Sequence, residues 1–133
     1  LAVFLPVVFA ASRFPAFAGH YPLCSAARQT WTLFIIYELA YAAYFLAWEY
    51  LYRGYLLFSL EPSMGKMAVF AQTIPFAIIH FGKPEAETFG AIVAGIFLGL
   101  LALRTRSCWY GALIHIAVAL TMDVLTAWSS LVA

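Results

Sequence analysis

The sequence is poor in charged residues. They make up 10% of the 133 residues, whereas soluble domains contain about 25%. Hydrophobic residues reach 65%, and a soluble chain near this length buries only about 70% of the surface that it exposes when unfolded. A soluble globular domain is therefore excluded. Because aromatic residues make up 18%, a disordered chain is excluded as well.

The small number of cysteines and the low net charge exclude further classes of protein. The only two cysteines, Cys24 and Cys108, form no CxxC pair and indicate no disulfide framework. The formal net charge of +1 provides no basic patch, so we expect no nucleic-acid partner. No internal repeat and no alternation of apolar and polar residues is present. The class that remains is an all-α, polytopic membrane protein.

Four apolar runs predict four transmembrane helices, separated by turns at 61–66, 83–87 and 104–107. The first run is too long for a straight crossing, since 30 helical residues reach about 45 Å and the hydrocarbon core is about 30 Å thick. This helix must tilt, bend or project, and Gly54 is its weak point. The predicted spans are 31–60, 67–81, 88–103 and 110–131.

The first 30 residues contain no complete span. Residues 1–11 are apolar but too short to cross a bilayer, and we interpret them as part of a helix, with a signal peptide as the alternative. Residues 12–30 contain Pro15, Gly19 and Pro22 and are interpreted as an interfacial loop. We expect a single membrane domain over 1–133 that is a piece of a larger bundle.

Ionisable residues inside the apolar runs are the informative feature, since such groups are costly in lipid and usually mark a function. Glu49 and Arg53 are four residues apart, so they share a helix face and are expected to pair. We expect three helices to direct such groups to a common interior. The six residues are Glu38, Glu49, Arg53, His80, His115 and Asp123.

One acid and two imidazoles on separate helices can activate a water for attack on an amide carbonyl. Glu49, His80 and His115 also match the three protein ligands of a catalytic zinc, although no HExxH motif is present. A structural ion pair between Glu49 and Arg53 stays open as the simpler interpretation. A small transporter or proton relay is a further alternative, which would use Glu38, Glu49, His115 and Asp123.

Gly95 and Gly99 form a GxxxG pattern, with Ala91 one turn earlier. Small residues let two helices approach closely in lipid. We expect this face to pack within the chain's own bundle. A homo-oligomer built on the same face is the alternative.

Four segments carry a resemblance to a known family. They are WEYLYRG at 48–54, FAIIH at 76–80, the Gly-containing stretch 80–107, and WYGALIH at 109–115. Over about residues 31–128 the chain resembles the CPBP family of intramembrane proteases, also called CAAX prenyl or bacteriocin-processing proteases. The resemblance implies an intramembrane endopeptidase that requires no cofactor, acts on a membrane-embedded or lipidated peptide, and resides in a bacterial plasma membrane.

The family pattern also implies roles for residues. Glu49 and His80 would activate water, His115 would stabilise the oxyanion, Arg53 would orient Glu49, and Phe76 completes the Phe-x-x-x-His motif. Two positions depart from the pattern: Trp48 stands where the family has a first Glu, and Ala119 where it has an Asn. Glu38 is then a reserve base, and Asp123 a candidate replacement for the Asn. The departures leave open a catalytically inactive relative that binds a membrane partner.

Overall fold

The computed structural model describes residues 4–132, and no strand occurs in this range. The predicted all-α class is therefore confirmed. In chain order the elements are α1 (Phe4–Ala11), α2 (Pro15–His20), a 3₁₀ turn (Ser25–Arg28), α3 (Trp31–Glu49), a π-helical segment (Tyr50–Leu56), α4 (Leu57–Met64), a second 3₁₀ turn (Gly65–Met67), α5 (Ala68–Ile78), α6 (Glu85–Thr105) and α7 (Trp109–Leu131).

Many large apolar side chains lie on the surface while several charged ones are buried, which is unusual for a soluble protein. Large apolar side chains such as Phe81 and Phe89 are at least 70% exposed, whereas Glu49, Arg53 and Asp123 are completely buried. Three helical stretches are long and apolar enough to cross a membrane: Trp31–Ile78, Glu85–Thr105 and Trp109–Leu131. The chain is thus a helical membrane bundle, with charge kept inside and apolar surface turned to lipid.

The stretch Trp31–Ile78 is not one straight rod, because the chain reverses at Gly65. The rings of Tyr52 and Phe76 lie 5.7 Å apart, although 24 residues of straight helix would separate them by about 36 Å. Gly65 has φ 56°, a conformation that glycine adopts without steric cost. The predicted turn at 61–66 is therefore wrong in its position, since α4 continues through Pro62 and the turn follows it.

The second predicted span, 67–81, contains only the eleven residues of α5. At 1.5 Å per residue they reach about 16 Å, roughly half of the hydrocarbon core. Four complete crossings are therefore not confirmed. Pro75 lies inside α5 without interrupting it.

Residues 46–113 form one compact unit, called the central unit here. It contains the π-helical segment, α4, α5 and α6. Leu57, Ala68, Val69 and Ala102 form one buried cluster. Tyr52, Phe76 and Ala91 form a second, with Trp48 packed against it.

Two glycines of α6 set the close approach of α5 and α6 in the central unit. A Cβ atom on Gly95 would lie 2.8 Å from Thr73 Cγ2, and one on Gly99 would lie 2.7 Å from Gln72 Nε2. The Gln72 side chain then donates to the Gly95 carbonyl across this interface, at 3.0 Å. The prediction that the GxxxG face packs within the chain is confirmed.

Residues 1–45 and 114–133 form the other compact unit, called the terminal unit here. The stretch 12–30, predicted as a loop, is partly helical, since it contains α2 and a 3₁₀ turn. The Arg28 guanidinium closes this stretch by donating to the carbonyls of Ala18, at 2.6 Å, and Tyr21. The core has two clusters: Val8, Phe17, Tyr21 and Met122, and Ala27, Phe34 and Ala127.

Candidate active site

The first motif of the family resemblance, WEYLYRG, lies where the π-helical segment follows α3. α3 ends at Glu49, and the next seven residues, Tyr50–Leu56, form a π-helical segment before α4 resumes. Gly54, predicted as the weak point, lies inside this segment. π-helical turns are rare and occur frequently at functional sites. The widened turn therefore marks this part of the central unit as a candidate site.

Glu49 and Arg53 form an ion pair across the start of the π-helical segment. Arg53 Nη1 donates to Glu49 Oε1 at 2.8 Å, and both side chains have 0% exposure. The predicted pairing is confirmed. Each ion alone would be strongly unfavourable in this environment, and the pair is tolerated because the two charges cancel. The carboxylate is thus held in one orientation inside the unit.

The Arg53 guanidinium also lies over an aromatic ring. Its Cζ atom is 3.9 Å from the centre of the Phe76 ring, on α5. A cation over an aromatic face is attracted to the ring's negative quadrupole, most strongly where water is excluded. Phe76 is 1% exposed, so the contact is dry. Phe76 therefore supports the ion pair from the neighbouring helix.

His80 lies in the turn that follows α5 and is only 7% exposed. The backbone N–H of His80 donates to Ala77 O instead of Phe76 O, because the helix tightens as it ends. The Phe76 carbonyl instead accepts a hydrogen bond from His80 Nδ1, at 2.7 Å. A carbonyl oxygen can only accept, so Nδ1 carries the proton, and in the neutral ring Nε2 holds the lone pair.

The His80 turn is also fixed from α6. Thr88 Oγ1 donates to the His80 carbonyl at 2.8 Å. The imidazole ring packs against the Phe76 ring, with 4.7 Å between their centres. One aromatic side chain thus contacts both the imidazole of His80 and the guanidinium of Arg53. The Phe-x-x-x-His spacing places the His80 ring against the Phe76 ring and its Nδ1 beside the Phe76 carbonyl.

Gly111, at the start of α7, approaches the carboxylate of Glu49 closely. A Cβ atom at this position would lie 2.7 Å from Glu49 Oε2. Any other residue would therefore push the carboxylate away from its place beside Arg53. Sequence reasoning did not single out Gly111, and no spacing rule would have found it. Gln72 was missed too, although a polar residue inside an apolar run is a signal that could have identified it.

The remaining predicted residues belong to the terminal unit. The His115 ring is partly buried and lies 4.2 Å from the Phe45 ring, centre to centre. Asp123 is fully buried and accepts from the Tyr37 hydroxyl at 3.4 Å, while Glu38 is partly buried. The structure thus places Glu49, Arg53, Phe76 and His80 together in one unit, and the convergence of His115 with them stays a prediction.

Within residues 4–132, no group of three or more His, Cys, Asp or Glu side chains is placed to hold a metal ion. The zinc alternative needs His115 together with Glu49 and His80, and it stays a prediction.

A family model describes most of this chain. The model of the type II CAAX prenyl endopeptidase Rce1-like family matches residues 30–121. The chain belongs to the Rce1-like family. The matched range of this Rce1-like protein contains Glu49, Arg53, Phe76, His80 and His115, and it ends before Asp123. No curated protein and no solved structure matches the chain.

Membership of the Rce1-like family confirms the resemblance drawn from the sequence motifs. It supports a hydrolase of the CAAX-protease type at the level of the family. Together with the membrane-spanning helices it supports an integral membrane protein whose substrates are membrane peptides.

Proposed function

We propose that this Rce1-like protein is an active intramembrane endopeptidase that hydrolyses a peptide bond of a membrane-embedded or lipidated substrate. The observation that carries the proposal is the arrangement around Phe76 in the central unit. The Phe76 ring contacts Arg53, which holds Glu49, and the Phe76 carbonyl fixes the tautomer of His80. An oriented carboxylate and an imidazole whose Nε2 carries the lone pair are the groups that water activation needs.

In this proposal the nucleophile is water, and the protein supplies the base. Glu49 takes a proton from the water, and His80 Nε2 accepts a hydrogen bond from it, while the water oxygen attacks the carbonyl carbon. Arg53 orients Glu49, and His115 stabilises the oxyanion, as the family resemblance implies. Glu49 then returns the proton to the leaving amine, so that the carboxylate is restored after each turnover.

Burial of the site supports hydrolysis inside the membrane. Glu49 and Arg53 have no exposed surface, so water and substrate reach them only when neighbouring side chains move aside. A site that admits little water strengthens the interactions among its charges. The expected substrate is therefore a peptide delivered within or along the bilayer, and we place the protein in a bacterial plasma membrane on the same family resemblance.

The proposal is tested by cleavage of a fluorogenic lipidated peptide by the purified protein in liposomes. Glu49→Gln and His80→Ala should each lower turnover by at least about 100-fold, the size typical of a lost general base. Matched controls are Glu61→Gln, a partly exposed carboxylate paired with Arg106, and His20→Ala. Both controls should retain cleavage. Undiminished cleavage by Glu49→Gln would reject the assignment.

A second candidate function is a catalytically inactive relative that binds a membrane partner. The observation in its favour is Trp48, which occupies the position of the family's first Glu and packs against Tyr52, with 5.4 Å between the ring centres. No acid is therefore available at that position. Absence of cleavage by the wild type, together with binding of a lipidated peptide that Glu49→Gln retains, would favour this function.

A further inference from the structure

The Arg53 side chain has hydrogen-bonding capacity that its ion pair does not use. Nη1 donates to Glu49 Oε1, but Nε and Nη2 have no hydrogen-bond partner among residues 4–132. The side chain is nevertheless completely buried. Leaving two donors of a buried cation without acceptors costs several kcal/mol in general. Such a group points to an acceptor that arrives with a ligand.

The two donors form one edge of the guanidinium plane. Nε–H and Nη2–H point in parallel from this edge, which is the fork that binds one or two anionic oxygens. Two other directions are occupied, since Glu49 lies at Nη1 and the Phe76 ring lies against one face at 3.9 Å. The Nε–Nη2 edge is therefore the part of Arg53 that can donate to a ligand, and the ring fixes the direction of that edge.

Charge balance decides which anion fits this edge. With Glu49 ionised and Arg53 charged, the buried pair is neutral, and a permanent second anion would leave the site with an unpaired charge. When Glu49 takes the proton of the attacking water, its charge disappears. At the same moment the carbonyl electron pair moves to the substrate oxygen. That oxygen becomes the new counterion of Arg53, and the site remains neutral throughout.

We propose that the Nε–Nη2 edge of Arg53 binds the substrate carbonyl oxygen and stabilises the oxyanion of the tetrahedral intermediate. The inference rests on the proposed function. The step is balanced: a water O–H bond breaks, its proton goes to Glu49, the hydroxide oxygen bonds to the carbonyl carbon, and the C=O electron pair goes to the oxygen held by Arg53. Arg53 is then a catalytic residue and not only the positioning partner of Glu49.

This role also addresses the missing Asn of the family pattern. Ala119 stands in its place and offers no donor, and an ionised Asp123 could only accept hydrogen bonds. A guanidinium is always protonated and always donates. Arg53 therefore supplies a donor of the kind that the family's Asn provides.

The test compares two lipidated peptides that carry a tetrahedral centre in place of the scissile amide. One contains an anionic phosphinate and the other a neutral hydroxyethylene group of similar shape. Their affinities for the full chain are measured in liposomes, together with kcat and KM for the cleavable peptide. We expect the wild type to bind the phosphinate about 100-fold more tightly than the neutral analogue, the size of effect typical of an oxyanion donor.

The decisive variant is Arg53→Lys, which keeps the positive charge beside Glu49 but loses the planar fork. It should lose about tenfold or more of the phosphinate preference and lower kcat, with KM and hydroxyethylene binding nearly unchanged. The matched control, Arg106→Lys, changes an exposed arginine and should leave the preference intact. If Arg53→Lys retains the wild-type preference, or weakens both analogues equally, the inference is overturned.

Two further outcomes separate this inference from the proposed function. If the wild type cleaves the peptide but does not prefer the phosphinate, the oxyanion role of Arg53 is wrong, whereas the proposed endopeptidase function is supported. If the wild type neither cleaves nor binds either analogue, the proposed function fails and the inference fails with it. Should Arg53→Lys lose its helical circular dichroism, the phosphinate preference of His115→Ala decides instead. Retention of most of the preference in this variant supports Arg53 as the donor, and loss of the whole preference assigns the oxyanion to His115 and overturns the inference.

Discussion

The two units of the chain use an arginine in different ways. In the terminal unit, the partly buried Arg28 donates to the backbone carbonyls of Ala18 and Tyr21 and so closes a loop. In the central unit, the fully buried Arg53 bonds a carboxylate, lies over an aromatic ring, and keeps one edge without an acceptor among the described residues. The Arg28 arrangement provides hydrogen-bond donors for backbone carbonyls of the chain itself. The Arg53 arrangement retains donors that serve no purpose in folding, and this is the difference between a structural arginine and a candidate catalytic one.

The buried acids of the two units differ in the same way. Glu49 and Asp123 both have 0% exposure. Glu49 is held by a cation at 2.8 Å, whereas Asp123 accepts from the Tyr37 hydroxyl at 3.4 Å and hydrogen-bonds the Glu38 carboxyl. A carboxylate paired with a fixed cation is oriented by the opposite charge, which neither a hydroxyl nor a second carboxyl group provides. The comparison favours Glu49 over Asp123 as the reactive acid.

The helix interfaces of the units also differ. The contact of α5 with α6 in the central unit depends on Gly95 and Gly99, which leave no room for a Cβ atom. The terminal unit instead packs larger side chains, such as Phe17 against Met122. Close backbone approach restricts sliding of the helices. The rigid interface thus supports α5, the helix that precedes the turn of His80.

The largest expected effect separates the two arginines. Arg53→Met leaves the Glu49 carboxylate buried without its cation, which should cost about 3–5 kcal/mol of unfolding free energy. Arg28→Met frees two carbonyls of a loop that also contains exposed residues, so it should cost about 1–2 kcal/mol. Both are measured by reversible denaturation in detergent micelles. Equal losses of unfolding free energy would show that the ion pair of Arg53 contributes no more to stability than the backbone hydrogen bonds of Arg28.

The size of the Arg53 effect can be checked with a double variant. Glu49→Leu combined with Arg53→Met removes both charges and should recover most of the stability lost by Arg53→Met alone. If the double variant is less stable than the single one, packing and not charge explains the loss.

An intermediate effect is expected at the glycine interface of the central unit. Gly99→Ala places a methyl group within 2.7 Å of Gln72 Nε2 and 2.9 Å of Val69 Cγ1. It should destabilise the fold by about 1–3 kcal/mol through overpacking. Gly90→Ala is the matched control on the same helix, because nothing lies within 4 Å of its Cβ position. The control should be neutral or stabilise the helix by up to about 1 kcal/mol.

Thermal unfolding of the two glycine variants, followed by circular dichroism, measures this difference. If Gly99→Ala proves as stable as Gly90→Ala, the α5–α6 interface does not need glycine at position 99. In that case α5 and α6 could separate slightly at no cost, and the close approach would not be required.

The smallest effect is expected at the acid of the terminal unit. Tyr37→Phe removes the hydroxyl that donates to Asp123 Oδ2 at 3.4 Å. The long bond is weak, so the loss should be about 0.5–1.5 kcal/mol of unfolding free energy, with no change in peptide cleavage. A loss of cleavage as large as that of Glu49→Gln would instead show that Asp123 belongs to the catalytic machinery.

Sequence reasoning was most successful where the deciding interactions are local. The pairing of Glu49 with Arg53 follows from their separation by four residues, and the helices follow from long apolar runs. It placed the turn at 61–66 too early, because Pro62 normally disfavours a helix but is tolerated inside α4. It also interpreted 12–30 as a loop, since the short helix α2 has too few residues to show a period.

Composition and spacing alone determined that this protein is a helical membrane protein with an acid and an arginine on one helix face. These properties depend on the balance of apolar surface and on neighbours within one or two turns. Only the tertiary structure decided that Gly111 approaches Glu49, that Phe76 joins Arg53 to His80, and that the Nε–Nη2 edge of Arg53 lacks an acceptor within residues 4–132. Such contacts join residues far apart in the chain, and they exist only once the helices have packed.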